Sequence, residues 1–224
     1  MSRVWLFDLD DTLHNASHRA FKELNASMAT YMVTYLGLTD EEAAALRNRY
    51  WARYGATLTG LQRHHGVKPA HFLRETHELP GLEAHLHGHA HDLAALRRLR
   101  GRKLLMTNAP RSYAERVLAA IGLSRVFERL ICVEDMQFFG HSRPKPDARM
   151  FRVVLARLRL RPAQCVLVED TLIHQKSARG LGLKTVWMQR WIRKAADGRR
   201  LQHRPAYVSR RVRSLAALAR APHF

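Results

Sequence analysis

Four groups of chemically capable residues stand in order along the chain, three of them at the end of a short apolar run. Val4-Trp5-Leu6-Phe7 stops at Asp8-Leu9-Asp10-Asp11-Thr12. Two carboxylates two residues apart, where a strand turns into a loop, can face one cavity. One can then attack or hold a cation while the other moves protons. Lys103-Leu104-Leu105-Met106 stops at Thr107-Asn108, a hydroxyl and an amide that can donate to a phosphate oxygen. Lys145 sits in Arg143-Pro144-Lys145-Pro146-Asp147, where flanking prolines stiffen the loop that aims the ammonium. Cys165-Val166-Leu167-Val168 stops at Glu169-Asp170, oxygen donors of the kind magnesium prefers. Each group alone has a plain structural reading: a solvated acidic turn, a strand-end hydroxyl, a surface lysine, a helix N-cap. Together, in this order, they point to one shared pocket.

The elements that must position them follow from pattern. The runs above, with Leu130-Ile131-Cys132-Val133 and Thr185-Val186-Trp187-Met188, read as buried strands. Helical spacing appears over 112–121, with Gly122 as C-cap, and over 147–158 and 171–181. Strand alternating with helix predicts an α/β fold with a mainly parallel, Rossmann-like sheet. Ligands of such sheets bind beyond the carboxyl ends of the strands, where Asp8, Thr107 and Asp170 would lie. Residues 16–90 break the rhythm. They predict helices over 20–36, 40–54 (N-capped by Thr39), 58–65 and 70–77, with a turn at Pro80-Gly81. The expected organisation is therefore a core of residues 1–15 and 91–224 with an α-helical insert of residues 16–90. A short edge strand is expected at Ala206-Tyr207-Val208, followed by a helix over 212–218.

Composition narrows the class. The 224 residues are 46% hydrophobic and 25% charged, ordinary globular values. No apolar run approaches the roughly 18 residues of a membrane span, and the opening Met-Ser-Arg run is too short and too acidic for a secretory signal. Two separated cysteines, Cys132 and Cys165, exclude a disulfide framework and fit a reduced, cytoplasmic setting. The net charge is +19, carried by 31 Arg and 7 Lys against 19 acids. Such a surface attracts anions, so a phosphorylated small molecule or nucleic acid is a candidate partner. The arginines are spread along the whole chain, densest between Arg190 and Arg213, which favours solvated faces over a dedicated nucleic-acid surface.

The motif set resembles the haloacid dehalogenase-like hydrolase superfamily. Asp8-Leu9-Asp10-Asp11-Thr12 is similar to its first motif, Thr107 to its second, Lys145 to its third and Glu169-Asp170 to its fourth. The likeness covers about residues 3–190. At finer grain the chain is similar to subfamily I members with a C1 cap, and to bacterial pyrimidine 5'-nucleotidases. That likeness rests on Phe7 to Asn15, Arg53-Tyr54-Gly55-Ala56-Thr57-Leu58 and Thr107-Asn108-Ala109-Pro110.

The resemblance implies a Mg²⁺-dependent phosphomonoesterase. Asp8 would be the nucleophile, Asp10 the general acid and base, and Lys145 would join Thr107 and Asn108 in binding phosphate. Asp8, the Asp10 carbonyl and Asp170 would hold the metal, supported by Thr12 and Glu169. Dehalogenases of the family do without the acid, so Asp10 speaks for phosphoryl chemistry. A nucleoside 5'-monophosphate is the expected substrate. The alternatives are a sugar-phosphate or phosphoglycolate phosphatase, a phosphomutase, or a basic nucleic-acid-binding protein on an inactive scaffold. No nucleic-acid-binding signature supports the last, and nothing in the sequence points to a membrane. Two residues depart from the family pattern: His174 stands where Asn is common, and Thr171 replaces a common Ser. The stretch Phe138-Phe139-Gly140-His141-Ser142 is also longer than expected.

Outside the motifs, His14, Asn15, Tyr54 and Thr57 are candidate substrate contacts. Phe21, Tyr31 and Tyr35 make an aromatic stripe expected in the insert's own core. His85, His87, His89 and His91 cluster, and on one helix His87 and His91 would share a face able to bind a transition metal. A solvated helix or a hinge back to the core is the favoured reading of that cluster.

Overall fold

The computed structural model describes residues 3–138, 140–191 and 203–219. Its centre is a six-stranded parallel sheet. The strands are β1 (Val4–Phe7), β2 (Arg102–Met106), β3 (Arg129–Ile131), β6 (Cys165–Glu169), β7 (Lys184–Met188) and β8 (Arg210–Val212). Their order is β3-β2-β1-β6-β7-β8. A two-stranded antiparallel ribbon, β4 (Gln137–Phe138) with β5 (His141–Ser142), stands apart. β1 lies at the middle, fully buried, and its side chains alternate between two apolar layers. Trp5 and Phe7 enter one layer and Val4 and Leu6 the other. β6 repeats this, with Val166 and Val168 against Cys165 and Leu167. Burial on both faces explains why these strands read as continuous apolar runs. Each fully buried large side chain contributes about 1.5–3 kcal/mol.

Helices cover both faces. α5 (Ala90–Arg98), α6 (Arg111–Ala120) and α9 (Ala216–Ala219) pack on the Trp5 side. α7 (Ala148–Arg157) and α8 (Leu172–Gly180) pack on the Val4 side. Phe7 is level with Leu105 on one side and Val168 on the other. The strand ends therefore present Asp8, Thr107 and Glu169 along one edge.

Between β1 and β2 run α1 (Ala20–Leu36), α2 (Asp40–Tyr54), α3 (Thr57–His65) and α4 (Pro69–His77). Thr39 caps α2 as expected. Its Oγ1 accepts from Glu42 N at 3.2 Å while its own N donates to Glu42 Oε2 at 2.8 Å, a capping box. These helices share a third apolar cluster around Tyr31, Met32, Tyr50, Leu61 and Phe72. Both ends of the 16–90 segment instead join the main core, through Ala16, Ala20, Leu79 and Leu82.

Two glycines dock these parts. Gly55, with φ +75°, ends α2 where a Cβ would lie 2.6 Å from Pro146 Cδ. Gly60 presses on the Tyr50 ring, and a Cβ there would lie 2.1 Å from its Cγ. Ala is intrinsically better than Gly inside a helix by about 1 kcal/mol. The overpacking cost of about 1–3 kcal/mol outweighs that, so Gly60→Ala is expected to be net destabilising in urea unfolding.

Several expectations are corrected. The last strand lies at Arg210–Val212, not 206–208, because pairing with β7 selects it; Tyr207 is in a turn. The following helix accordingly begins at Ala216. β3 ends at Ile131, and Val133–Met136 is a 3-10 helix. His87 and His91 do not share a helix, since His87 precedes the start of α5. Phe21 packs on the main core rather than in the insert's own cluster, and Tyr35 is 51% exposed. Much of the basic stretch between Arg190 and Arg213, and Phe139, lie outside the described residues. Among the described residues no helix is long and apolar enough to cross a membrane.

Candidate functional site

The loop that follows β1 folds back on itself. Leu13 N donates to Leu9 O at 2.9 Å, and Asp11 (φ +52°) accepts from Ser17 N at 2.8 Å and from its hydroxyl. This holds Asp8 and Asp10 toward the strand ends. Asp8 N completes the ladder to Val168 O at 2.9 Å.

Lys145 arrives from the opposite side, 1% exposed. Its Nζ lies 2.6 Å from Asp8 Oδ1 and 2.7 Å from Glu169 Oε2. Its backbone is gripped by Asn108. Asn108 Nδ2 donates to Lys145 O at 2.9 Å, and Lys145 N donates to Asn108 Oδ1 at 2.9 Å. The Asn108 side chain thus sets the lysine loop and has its oxygen and one amide hydrogen committed there. Asn108 lines the cavity as well, with its second amide hydrogen left over. Thr107 is buried at the end of β2, its Oγ1 accepting from Ala109 N at 3.1 Å. The hydroxyl hydrogen is left for an acceptor in the cavity.

Asp8, Glu169 and Asp170 bring carboxylate oxygens within 4.8 Å of one another. Burial and the neighbouring Glu169 charge push Asp8 up to about 8, against the pull of Lys145. Burial, with Glu169 and Asp8 beside it, holds Asp170 well above the usual carboxylate range. Burial opposes ionisation of Glu169 too, but Lys145 and His174 hold it well below that range. Two of three converging carboxyls are therefore short of positive charge. An all-oxygen set with that deficit fits a hard divalent cation such as Mg²⁺. His174 Nδ1 lies 3.2 Å from Glu169 Oε1, and Thr171 N donates to the same oxygen at 3.3 Å. Thr12 is buried, its hydroxyl without a partner among the described residues.

Asp10 is set differently. Its Oδ1 accepts from Tyr113 Oη at 2.9 Å and lies 2.9 Å from His14 Nε2. His14 is fully buried behind the cavity wall and meets Asp10. Burial and the Asp10 charge raise Tyr113 well above the ordinary phenol value, keeping it a donor.

These groups share a cavity of about 460 Å³. Its far wall is apolar, with Leu24, Met28, Trp51, Leu58 and Phe72, and it carries one cation, Arg47. Arg47 has no acidic partner among the described residues; it donates to Asn48 Oδ1 at 3.1 Å. Thr57 lies on this wall. Tyr54 does not: its hydroxyl pairs with His64 at 2.7 Å and its ring lines a separate depression, because Gly55 turns the chain between them. Asn15 also lies off the wall, its N donating to His87 O at 3.0 Å. His77 lines the cavity edge-on to Tyr113, and burial lowers it to about 4, so it is neutral.

In sequence Tyr113 is one more apolar position of the 112–121 helix, and His77, Arg47 and Trp51 belong to no motif. Tyr113 had a signal, since the first turn of a helix entered from a motif strand lies at the sheet's carboxyl edge. Arg47 and Trp51 had none, being ordinary residues of an amphipathic helix.

A family model described as haloacid dehalogenase-like hydrolase matches residues 3–182. Phosphate metabolism protein 8 of Saccharomyces cerevisiae is 24% identical over 194 residues, covering 81% of this chain and 60% of that one. A plasmid phosphoglycolate phosphatase of Cupriavidus necator is 36% identical over 104 residues, 46% of this chain and 40% of that one. The chain thus spans less than two thirds of the length of either. CbbY from Rhodobacter sphaeroides, solved with phosphate, superposes with a TM-score of 0.65 at 21% identity, over 99% and 100% of the two chains, and so shares the fold.

Proposed function

Because the chain belongs to the haloacid dehalogenase-like hydrolase family, we propose that it is a phosphomonoesterase working through an aspartyl-phosphate on Asp8. The observation that carries this is the pairing of Asp8, buried against Lys145, with Asp10, held in a different environment in the same cavity. Asp8 attacks phosphorus and the P–O bond to the leaving group breaks. Asp10 gives that oxygen its proton, then takes a proton from the water that frees the phosphate, the same group serving as acid and then base. Lys145 and the Thr107 hydroxyl orient the phosphoryl oxygens, and positioning dominates this chemistry. Mg²⁺ held by Asp8, Asp170 and the Asp10 carbonyl would offset repulsion between carboxylate and phosphate. Glu169 and Thr12 support that loop, and residues 16–90 act as a cap that supplies the leaving-group wall.

The proposed substrate is a small organic phosphate. A nucleoside 5'-monophosphate, in particular a pyrimidine one, fits the apolar wall, where Trp51 offers a stacking face. Arg47 on the same wall favours a second reading, a phosphorylated compound with another anionic group, such as phosphoglycolate. Phosphate release with Mg²⁺ from UMP, CMP, AMP, GMP, phosphoglycolate and hexose phosphates tests both readings, with EDTA as control. A preference for UMP and CMP supports the first, and a preference for phosphoglycolate the second. No release from any ester overturns the function. If the second reading holds, Arg47→Ala raises KM for phosphoglycolate about 10-fold or more through loss of a charge-assisted contact. The same variant then changes kcat/KM for UMP by less than about 3-fold.

A further inference from the structure

The carboxyl group of Asp10 has two oxygens in unlike surroundings. Oδ1 meets Tyr113 Oη and His14 Nε2, both at 2.9 Å. Oδ2 has no protein donor among the described residues, and Asp10 lines the cavity. Both partners of Oδ1 are buried, His14 completely and Tyr113 at 2% exposure.

The state of the histidine ring follows from its other nitrogen. His14 Nδ1 is buried with no partner among the described residues. A ring proton on Nδ1 would be an unsatisfied buried donor, whereas on Nε2 it donates to a carboxylate oxygen. The Nε2 tautomer is therefore favoured, and Oδ1 accepts twice. A carboxyl oxygen that accepts two hydrogen bonds is the poorer place for the acid's own proton. That proton is placed on Oδ2.

Resting on the phosphatase reading above, we propose that His14 and Tyr113 are positioning residues that clamp Oδ1 of Asp10 and so reserve Oδ2 as the atom that hands the proton to the leaving group. His14 lies off the cavity wall, and Tyr113 lines the cavity with its hydroxyl committed to Asp10. His14 is held by the turn after β1, and Tyr113 by the first turn of α6. The carboxyl plane is thus fixed from two separate elements. His77 stands edge-on to the Tyr113 ring, with ring centroids 6.0 Å apart. This links the clamp to α4, on the side from which the leaving group is covered.

The clamp matters only where the leaving oxygen needs a proton. An alkyl phosphate expels a strongly basic alkoxide and depends on the acid. p-Nitrophenyl phosphate expels a stable phenolate and does not. The experiment compares kcat/KM, which reports the first bond-breaking step, for these two esters. The variants are Tyr113→Phe, His14→Leu and His14→Gln, measured with Mg²⁺ beside the wild type, with thermal melts to establish folding. The alkyl substrate is whichever ester of the panel the wild type hydrolyses best.

The expected result is a loss of about 10-fold or more on the alkyl ester for Tyr113→Phe and for His14→Leu, one hydrogen bond to a charged group each. The loss on p-nitrophenyl phosphate stays below about 3-fold. His14→Gln, whose amide can still donate near the Nε2 position, recovers part of the alkyl-ester rate. Equal losses on both esters, or none on either, overturn the clamp. If His14→Leu does not fold, Tyr113→Phe alone decides, since it removes one oxygen. A wild type that turns over neither ester overturns the phosphatase reading, and the clamp with it.

Discussion

Asp8→Asn leaves a folded protein that releases phosphate at least about 10⁴-fold more slowly than the wild type, since the amide cannot form the covalent intermediate. The substitution changes shape very little and removes only the nucleophilic oxygen, so a loss of this size isolates the chemical step. Stability moves the other way. In the cation-free protein the folded state keeps the Asp8 proton up to about pH 8, whereas the unfolded chain releases it near 3.8. The folded state therefore binds more protons across that window, and the Asp8 contribution to stability falls as pH rises. Asn has no such slope. Melting temperatures of variant and wild type should converge near pH 4, and the variant should gain on the wild type towards pH 8. Phosphate release that survives in Asp8→Asn would remove Asp8 as the nucleophile.

Lys145→Met has the largest expected cost in stability. Lys145 is 1% exposed and bridges two carboxyl groups, Asp8 and Glu169, that are themselves buried. Deleting the shared cation leaves buried negative charge uncompensated, about 3–5 kcal/mol by the usual cost of breaking such a pair. The pH dependence has a definite sign. In the wild type Glu169 is held well below the usual range, so its contribution is present above the unfolded value of 4.5 and is lost as pH falls. In the variant that contribution is absent, and both carboxyls resist ionisation. The deficit relative to the wild type is thus greatest near pH 8 and smallest near pH 4. Urea unfolding at the two pH values reads this directly, and equal stability at pH 8 would show that the bridge does not hold the site together. Turnover should also be lost under the proposed mechanism, in which Lys145 orients the phosphoryl oxygens.

Much of this site was legible because its anchors sit at strand ends. Phe7, Met106 and Val168 are core residues whose burial fixes where Asp8, Thr107 and Glu169 must emerge. A four-residue apolar run followed by an acid carries that information locally. Other features depend on contacts between distant segments. Asn108 resembles a phosphate donor in sequence, and only the fold brings Lys145, 37 positions away, to claim its side chain. Tyr113 lies 103 positions from Asp10. Tyr54 and Thr57 are three residues apart, and both are candidate substrate contacts in sequence. The left-handed turn at Gly55 separates them, sending one to the cavity and the other to the far side. The edge strand was misplaced because Val208 is as buried as Val212, so burial pattern alone does not say which one pairs.

The helix α1 belongs to two interiors at once. Ala20 is packed in the main core, while Tyr31 and Met32, three turns along the same unbroken helix, are packed among the other insert helices. An α-helix advances about 100° per residue. One residue inserted or deleted in the middle of α1 would therefore rotate everything beyond it by that angle and take Tyr31 off its neighbours. A segment taken from a relative to replace residues 16–90 would have to be spliced in phase, or brought in together with the whole of α1.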